Sequence, residues 1–402
     1  MNNRLIQTVD DRYDRFLSDE SKEEGFADTI SFPSSAEELP EIIQHLPSDV
    51  LTLQGANTGV EGKSVPHGGH IINFSKMNAI REIRLTSENE GYAIVEPGVT
   101  LMQLQQEILH QLKRNDFFWP PSPTETSATI GGVIATNACG MNSYYYGSTL
   151  GYIEEITLLD KDGQIHSLRD LSASGIFPSD SCITEAVLKL VRKPEHILGI
   201  SFFFDNEEQS LLCADRLQSF VPSTENAWII SMEYIGKTAI QLINSARDQL
   251  SALKTVPLLP SGTASVIYIE TAGAEDAMDE ILMDLIDITS EYGSDPDAAW
   301  ALTGYSEIQK MHDFRHAAAE TVIQFIEKKH ALDKRIIKLG IKPASRGRTF
   351  SEIVSGIMQE LSAANLHASV YAHIKHSDIQ VNFLPEDYEE YQKSKAIANN
   401  WI

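Results

Sequence analysis

The stretch Gln54–Ser64, QGANTGVEGKS, decides which fold can be expected for this chain. It follows a short apolar run, Val50–Leu53, which predicts a strand. Three glycines, Gly55, Gly59 and Gly62, let main-chain N–H groups approach an anion because no β-carbon intervenes. The same glycines also suit a plain tight turn, so this loop alone leaves the two interpretations open.

The loop ends in GKS, as a nucleotide P-loop does, but its other residues exclude that motif. A P-loop needs a glycine where this chain has Asn57, and it needs a helix after Lys63. The following residues, Ser64–Gly69, contain a proline and two glycines and cannot form a helix interior. The dinucleotide fingerprint G-x-G-x-x-G also fails, because from Gly55 its later glycines would be Asn57 and Val60.

A second segment of small residues, Thr126–Gly140, follows the proline-rich run Pro120–Pro123. Most of its side chains are small, and glycines and hydroxyl groups are interspersed among them. Backbone that lies against a large planar or phosphorylated ligand needs such residues, whereas the alternative is a tightly packed core turn. Tight turns alone would not need two such segments in one domain, so the pair favours a backbone that contacts a ligand.

Composition and charge exclude several classes of function. The 402 residues suggest two to three domains at about 150 residues each. With 32 basic and 57 acidic residues the net charge is −25, which disfavours binding to nucleic acids and to anionic membranes. The chain has no apolar run of about 18 residues, so no transmembrane segment is expected. Its polar first residues also predict no secretory signal.

The three cysteines, Cys139, Cys182 and Cys213, lie far apart in the sequence. None forms a C-x-x-C pair, so neither a zinc site nor a disulfide framework is expected. They are typical of reduced thiols in a cytosolic protein.

The predicted secondary structure changes its pattern near Glu195. Before this point short strands dominate, with a helix predicted at Leu101–Lys113 and another, from its apolar spacing, at Leu5–Ser18. After it, strands and helices alternate up to a long helix at Glu307–Lys329. This order indicates an α+β domain whose sheet is covered by helices.

Six short motifs stand in a fixed order in the first half of the chain. They are Gly55–Gly59, Val95–Leu101, Pro120–Pro121, Thr129–Gly132, Thr136–Gly140 and Tyr146–Gly147. Together they resemble the FAD-binding domain of the vanillyl-alcohol-oxidase and para-cresol-methylhydroxylase (PCMH) superfamily. The most similar branch is the group of glycolate oxidase, D-lactate dehydrogenase and D-2-hydroxyglutarate dehydrogenase. The resemblance covers residues 27–195 well and the rest loosely.

This resemblance implies an α+β fold with a PCMH-type FAD-binding domain (residues 1–195) and a cap domain over the flavin ring (residues 196–370). The cap would be an antiparallel sheet covered by helices, and residues 371–402 would begin a C-terminal segment. FAD would be held non-covalently, because no histidine lies in Gly55–Gly62 and His67 is interpreted as a surface residue. The implied cofactor contacts are Gly55, Ala56, Asn57, Thr58, Gly59, Gly62, Pro121, Thr129, Gly131, Gly132, Asn137, Gly140, Tyr146 and Ile183.

The resemblance also implies substrate contacts in the second half. Arg315 lies in a segment that resembles the family helix whose arginine binds the substrate carboxylate. The resemblance implies that Arg315 and His373 are the catalytic residues. Lys338 and Asn382 are further implied substrate contacts. Because Gln380 replaces the second histidine of the family's metal-binding strand, no metal is expected. The plainer alternatives, a solvated arginine or lysine and a hydrogen-bonded sheet histidine, stay open.

Two departures from the family pattern affect the expected function. The segment Gly175–Cys182 replaces a family G-S-E-G-T-L-G-I motif whose backbone helps to hold the cofactor. The chain also ends at Ile402, before the family's E-H-G motif, which supplies a ligand and a catalytic histidine. Both departures suggest a truncated or degenerate family member.

The function implied by the resemblance is FAD-dependent oxidation of a small D-2-hydroxy acid such as D-lactate or glycolate. Hydride would pass to the flavin, and electrons would leave to a quinone, a cytochrome or an electron-transfer flavoprotein. One alternative is a protein that keeps the fold, and even FAD, without turnover. Another is the same fold oxidising an alcohol or a sugar, with no carboxylate contact at Arg315. A cytoplasmic location is expected, with peripheral association at the inner membrane left open.

Overall fold

The computed structural model describes residues 5–48, 50–121, 123, 125–169, 171, 181–375 and 378–402. It divides into two compact units, residues 1–193 and residues 194–402. Both units combine helices with sheets, so the predicted α+β fold class is confirmed. His376 and most of the Gly175–Cys182 segment lie outside the described residues.

The described part of the first unit contains two sheets. Its strands are β1 (Gln7–Thr8), β2 (Thr29–Ser31), β3 (Leu51–Gln54), β4 (His70–Asn73), β5 (Ile80–Leu85), β6 (Glu90–Val95), β7 (Phe117–Phe118), β8 (Ile153–Asp160), β9 (Ile165–Arg169) and β10 (Ser181–Arg192). The smaller sheet has the order β1-β2-β4-β3 and is parallel except for β1. The larger sheet is antiparallel, in the order β5-β6-β10-β8-β9, with β7 paired to β10.

Apolar residues anchor two helices of this unit to the larger sheet. The helices are α1 (Leu39–Gln44), α2 (Leu101–Leu112), α3 (Ile130–Ala135) and α4 (Ser143–Tyr146). Thr100 and Gln103 begin α2 with a reciprocal capping box, and Leu104 and Ile108 are its buried face. The short α3 buries Ile130 in the same core. This anchor fixes the small-residue segment against the sheet.

The predicted helix over Leu5–Ser18 was wrong. Gln7 and Thr8 form β1 and pair with β2. The side chain of Asp10 then accepts a hydrogen bond from the Arg12 N–H and starts a short 3-10 helix, Asp11–Phe16. Strand pairing and this N-cap therefore overrode the helical spacing of the apolar residues.

The second unit is built on one seven-stranded antiparallel sheet. Its strands are β11 (Ile197–Phe204), β12 (Ala227–Ile235), β13 (Ser265–Gly273), β14 (Trp300–Thr303), β15 (Gly340–Ile341), β16 (Ala368–His373) and β17 (Asp378–Phe383). Their order across the sheet is β14-β11-β13-β12-β16-β17-β15. Residues 371–402, assigned from the sequence to a separate C-terminal segment, lie within this unit because β16 and β17 belong to its sheet.

Helices pack on both faces of this sheet. They are α5 (Glu207–Gln218), α6 (Lys237–Ala246), α7 (Glu275–Glu291), α8 (Tyr305–Leu332), α9 (Phe350–Ala363) and α10 (Tyr388–Trp401). On one face Phe350 of α9 meets Tyr234 edge-on, with ring centroids 5.5 Å apart. On the other face α8 passes over Gly199, where a β-carbon would come within 3.2 Å of Ile308. The predicted helix-covered antiparallel sheet is thus confirmed.

Candidate functional site

The loop after β3 presents a run of unused main-chain donors. Among the described residues, no N–H group from Ala56 to Val60 donates a hydrogen bond. The basic side chain nearby, Lys63, is exposed and forms an ion pair with Glu61, with 2.7 Å between Nζ and Oε2. An anion at this loop would therefore be held by peptide N–H groups, which approach closely where side chains are small.

Two of the loop glycines also have structural reasons: a positive φ at Gly62 and close packing at Gly55. A β-carbon on Gly62 would lie 2.5 Å from Glu23 Oε2, and the φ of Gly62 is +72°. A β-carbon on Gly55 would lie 2.0 Å from Thr129 Oγ1. Gly59 has only ordinary contacts. The tight-turn and anion-loop interpretations therefore do not exclude each other: Gly55 has a packing reason, Gly62 has a backbone reason, and the free donors lie between them.

The contact of Gly55 with Thr129 joins the two segments singled out in the sequence. Thr129 also forms an isolated β-bridge with Thr100. Asn73 fixes the other side of the loop, because its Nδ2 donates to Gly55 O at 3.0 Å. Residues 74 positions apart in the sequence thus form one surface of small residues and main-chain donors.

The second segment is held mostly by its own backbone. Gly131 N donates to Pro97 O at 2.8 Å, and a β-carbon on Gly131 would lie 2.7 Å from Pro97 Cβ. Asn137 Oδ1 accepts from Leu150 N at 3.2 Å, and Gly140 N donates to a serine hydroxyl. Asn137 and Gly140 therefore shape the segment, while Gly132 stays exposed.

The other predicted cofactor contacts lie in different surroundings. Tyr146 belongs to an aromatic cluster and meets the Phe118 ring edge-on, with centroids 5.6 Å apart. Pro121 is buried, and Ile183 is half-buried on β10 opposite Leu158. Their roles toward a cofactor remain predictions.

The residues present fit FAD. The free N–H groups of the glycine loop suit its pyrophosphate, which main-chain donors bind well. Asn57 Oδ1 is buried and has no hydrogen-bond partner in the described chain, so it can accept from a ligand hydroxyl. Gly147 has open space where a side chain would be. Thr58 adds a half-buried hydroxyl beside the loop donors.

In the second unit, one face of the sheet is polar across neighbouring strands. Strand residues alternate between faces, and register therefore identifies neighbours on one face. One such row consists of Ser201, Tyr268, Glu233, His373 and Asp378, on β11, β13, β12, β16 and β17. The hydroxyls of Ser201, Ser231 and Ser369 are buried on this face without a partner in the described chain. Because buried polar groups normally find partners, this face has the character of a binding surface.

Glu233 connects two of the predicted site residues. Its Oε2 accepts from Arg315 Nε at 2.7 Å, and its Oε1 lies 2.5 Å from His373 Nδ1. The Glu233 side chain is 1% exposed. Burial opposes its charge, but His373 and Arg315 outweigh burial and hold the pKa of Glu233 below its usual range. The carboxylate is therefore ionised, and the predicted Arg315 and His373 are brought together through it.

A second pair of the same kind lies on the same face. His312 Nε2 contacts Glu270 Oε1, and Tyr268 OH donates to the same oxygen at 2.6 Å. Burial opposes the charge of His312, but Glu270 outweighs burial and raises the pKa of His312. Burial and Glu270 together raise the pKa of Tyr268 well above its ordinary value. Since His312 and Arg315 are three residues apart on α8, their side chains share one face of the helix.

The structure also brings Lys338 and Asn382 together. At Gly340, the register partner of Asn382, a β-carbon would lie 3.0 Å from both Lys338 Nζ and Asn382 Oδ1. Both amide atoms of Asn382 are buried without a hydrogen-bond partner in the described chain. Asn382 shares a face with Tyr371, over whose ring the Arg315 guanidinium lies at 4.5 Å. All four residues thus belong to the polar face.

Sequence reasoning missed Glu233, Glu270 and His312. A signal was present, because both glutamates stand inside otherwise apolar strands, AWIISMEYI for β12 and SVIYIETAG for β13. Acidic residues in buried strands are almost always paired. Arg315 also falls on the buried stripe of α8.

Within the described ranges, no group of three or more histidine, cysteine, aspartate or glutamate side chains is placed to hold a metal ion. Nor does any described helix combine the length and apolar character needed to cross a membrane.

Comparison with known proteins supports the FAD assignment. The family model described as an FAD binding domain matches residues 27–169. This match confirms the predicted resemblance and the predicted FAD cofactor. The D-lactate dehydrogenase of Anaerostipes hadrus is 31% identical over 176 residues, which are 40% of this chain and 35% of that protein.

Two further relatives extend this similarity. The D-lactate dehydrogenase of Archaeoglobus fulgidus is 26% identical over 227 residues, 52% of this chain and 48% of that protein. The glycolate oxidase protein GlcD of Bacillus subtilis is 27% identical over 195 residues, 44% of this chain and 40% of that protein. The matches thus span less than half the length of each of these curated relatives.

Solved structures show the same fold. A substrate-bound structure of p-cresol methylhydroxylase has a TM-score of 0.71 at 15% identity and covers 98% of this chain and 83% of that chain. An alkyldihydroxyacetonephosphate synthase has a TM-score of 0.64 at 14% identity, covering 100% of this chain and 77% of that chain. At these identities the likeness extends to the fold alone.

Proposed function

We propose that this chain is an FAD-dependent oxidoreductase that oxidises a small D-2-hydroxy acid to the 2-oxo acid. One observation carries the proposal: Arg315 is held by Nε to a buried carboxylate, while its Nη1 and Nη2 groups make no hydrogen bond within the described chain. Two parallel donors on one planar group match the two oxygens of a carboxylate. The names of the D-lactate and glycolate relatives support a hydroxy-acid substrate.

The substrate carboxylate would bind across Arg315 Nη1 and Nη2. Arg315 is 6% exposed and its guanidinium stacks on the Tyr371 ring, so little freedom remains to be lost on binding. Asn382 lies on the same face and offers its amide to the rest of the substrate, and Lys338 is the further proposed contact because its Nζ lies close by. A rigid, bidentate carboxylate clamp of this kind orients the C2 hydroxyl.

His373 would accept the hydroxyl proton. Its Nδ1 contacts Glu233, and its Nε2 makes no hydrogen bond among the described residues. FAD, when bound, supplies the two-electron oxidant that takes the hydride from C2. The balanced reaction moves one proton from the hydroxyl oxygen to His373 Nε2 and leaves a C2 carbonyl. For reoxidation we propose a quinone, a cytochrome or an electron-transfer flavoprotein as the electron acceptor.

Anaerobic flavin reduction tests this function. The FAD-loaded protein is mixed with D- and L-lactate, glycolate, D-2-hydroxybutyrate and D-2-hydroxyglutarate, and the flavin absorbance band is followed. Glycolate or at least one D-acid is expected to bleach the band, and L-lactate is expected to react more slowly than D-lactate. The matched control is 2-hydroxyisobutyrate, which has no hydrogen on C2 and should bind without bleaching. A flavin that no acid reduces would reject the function and favour the protein without turnover.

A further inference from the structure

Glu233 is placed to act on two groups of the site at once. It lies on β12 opposite His373 of β16 in the sheet register. Arg315 reaches the same carboxylate from α8, 82 residues away in the sequence. Each oxygen thus serves one partner, Oε2 for Arg315 and Oε1 for His373. No other described residue contacts both groups through a hydrogen bond.

We propose that Glu233 is the positioning residue that selects the tautomer of His373 and fixes the orientation of Arg315. The proposal rests on the hydroxy-acid function proposed above. An ionised carboxylate can only accept hydrogen bonds, so the imidazole proton must sit on Nδ1. The lone pair of a neutral His373 is then on Nε2, the atom that receives the substrate proton. The Arg315 bond through Nε leaves the two terminal nitrogens as a matched pair of donors.

The charge of Glu233 has a cost for substrate binding. Arg315 and Glu233 together carry no net charge, so a substrate carboxylate meets a guanidinium that is already partly neutralised. Glu233 therefore lowers the affinity of the site for a carboxylate.

Other titratable groups face this cluster and could share its pH dependence. Tyr268 lies opposite Glu233 on β13, and the pair Glu270 and His312 adjoins it. Asp378 lies opposite His373 on β17 and is paired with Lys342 at 3.0 Å. Tyr371 lies under the Arg315 guanidinium. A pH profile must therefore be compared between variants rather than assigned to Glu233 alone.

The deciding variant is Glu233→Gln, studied in the FAD-loaded full chain. Glutamine keeps the size of the side chain and removes its charge. Its oxygen can still accept from Arg315, while its amide nitrogen donates to His373 Nδ1 and moves the imidazole proton to Nε2. The rate constant of flavin reduction should fall on the order of 10²- to 10⁴-fold. The dissociation constant of 2-hydroxyisobutyrate should stay the same or decrease, because the site has lost a negative charge.

Glu270→Gln is the matched control. It removes an equally buried carboxylate that also holds a histidine but contacts neither Arg315 nor His373. It should lose stability to a similar degree, and its flavin reduction should change much less than that of Glu233→Gln. If both variants lose reduction rate and analogue affinity in parallel, Glu233 is merely structural and the proposal is overturned.

A second readout does not depend on activity. The ¹⁵N spectrum of histidine-labelled protein, with His373→Asn for assignment, reports which ring nitrogen carries the proton. The proton is expected on Nδ1 in the wild type and on Nε2 in Glu233→Gln. A wild-type His373 protonated on Nε2 overturns the proposal even if the enzyme is active. A wild type with the expected tautomer that no hydroxy acid reduces rejects the hydroxy-acid function instead.

Discussion

The two units offer ligand groups of different origin. In the first unit the donors are peptide N–H groups of the Ala56–Val60 loop, and the nearby Lys63 is already paired. In the second unit the ligand groups are the side chains of Arg315 and His373, and both are hydrogen-bonded to the Glu233 carboxylate. The first arrangement depends on the absence of side chains, and the second on a buried charge.

This difference determines what a substitution can damage. A site made of main-chain groups loses its ligand when an added side-chain atom keeps two segments from packing together, as a β-carbon on Gly55 would do at Thr129. A side-chain site fails when a partner is removed, because the remaining charge is then buried and unpaired. First-unit variants should therefore change FAD content, and second-unit variants should change substrate kinetics at full FAD content.

Removal of Arg315 should have the largest effect. Arg315→Ala leaves Glu233 buried with one partner fewer, which should lower the free energy of unfolding by about 3–5 kcal/mol. The loss of the carboxylate clamp should lower kcat/KM for hydroxy acids. The decrease should correspond to an activation free energy higher by about 2–5 kcal/mol and should arise mainly from a higher KM. Chemical denaturation and steady-state kinetics with a dye acceptor measure the two effects.

Arg335→Ala is the matched control for that variant, because Arg335 is exposed and pairs with Asp333. It should change stability by no more than about 0.5 kcal/mol. If Arg315→Ala left KM unchanged, the substrate would carry no carboxylate at this position. Oxidation of an alcohol or sugar would then be the better interpretation.

The next largest effect is expected at Gly55. Gly55→Ala places a β-carbon 2.0 Å from Thr129 Oγ1 and should destabilise the unit by about 1–3 kcal/mol through overpacking. FAD content after gel filtration should fall with it. The added substitution Thr129→Ala removes the clashing oxygen and should restore part of the FAD content.

The control for this pair is Gly151→Ala, because no atom lies within 4 Å of a β-carbon at Gly151. It should retain FAD at the wild-type level. Full FAD content in Gly55→Ala would show that the loop and the Thr129 segment need not close for the cofactor to bind.

A smaller, pH-dependent effect is expected at His312. Its raised pKa means that the charged pair with Glu270 stabilises the fold below the ordinary pKa of 6.5. This stabilisation is lost as the pH rises through the raised pKa. The Tm difference between wild type and His312→Gln should therefore be about 2–4 °C larger near pH 6 than near pH 9.

Differential scanning calorimetry across this range checks the prediction. His110→Gln serves as control, because His110 is exposed and its pair with Glu107 is long at 3.5 Å. A His312→Gln difference that grows toward pH 9 would contradict the assigned charge of His312.

The smallest effect is expected at Lys63. Lys63 is exposed and already paired with Glu61. Lys63→Ala should therefore change the free energy of FAD binding by less than about 1 kcal/mol. Fluorescence titration of the FAD-free protein measures this change. A large loss would mean that a side-chain cation, rather than the loop backbone, holds the pyrophosphate.

Much of the first unit could be predicted from sequence because its motif is local. The positions of small residues are visible in Gly55–Gly62 and Thr126–Gly140, and the periodicity of α2 identified that helix almost to its ends. By contrast, α9 was missed although Thr349 and Glu352 form a capping box that the sequence displays.

The Glu233 cluster could not be predicted in the same way. Its members are 82 and 140 residues apart in the sequence and meet only because β12 lies next to β16 and beneath α8. Strand order in an antiparallel sheet follows from long-range packing, which no local pattern encodes. Arg315 and His373 were predicted through a resemblance, but the carboxylate that joins them was not.

The contact between Gly55 and Thr129 also has a consequence for folding kinetics. Gly55 follows β3 of the smaller sheet, whereas Thr129 precedes α3, whose apolar residues belong to the core of the larger sheet. We expect the two to meet only once the two sheets have packed together. Recovery of flavin binding during refolding should therefore lag behind recovery of secondary structure. Cofactor uptake would thus report the last assembly step of the unit.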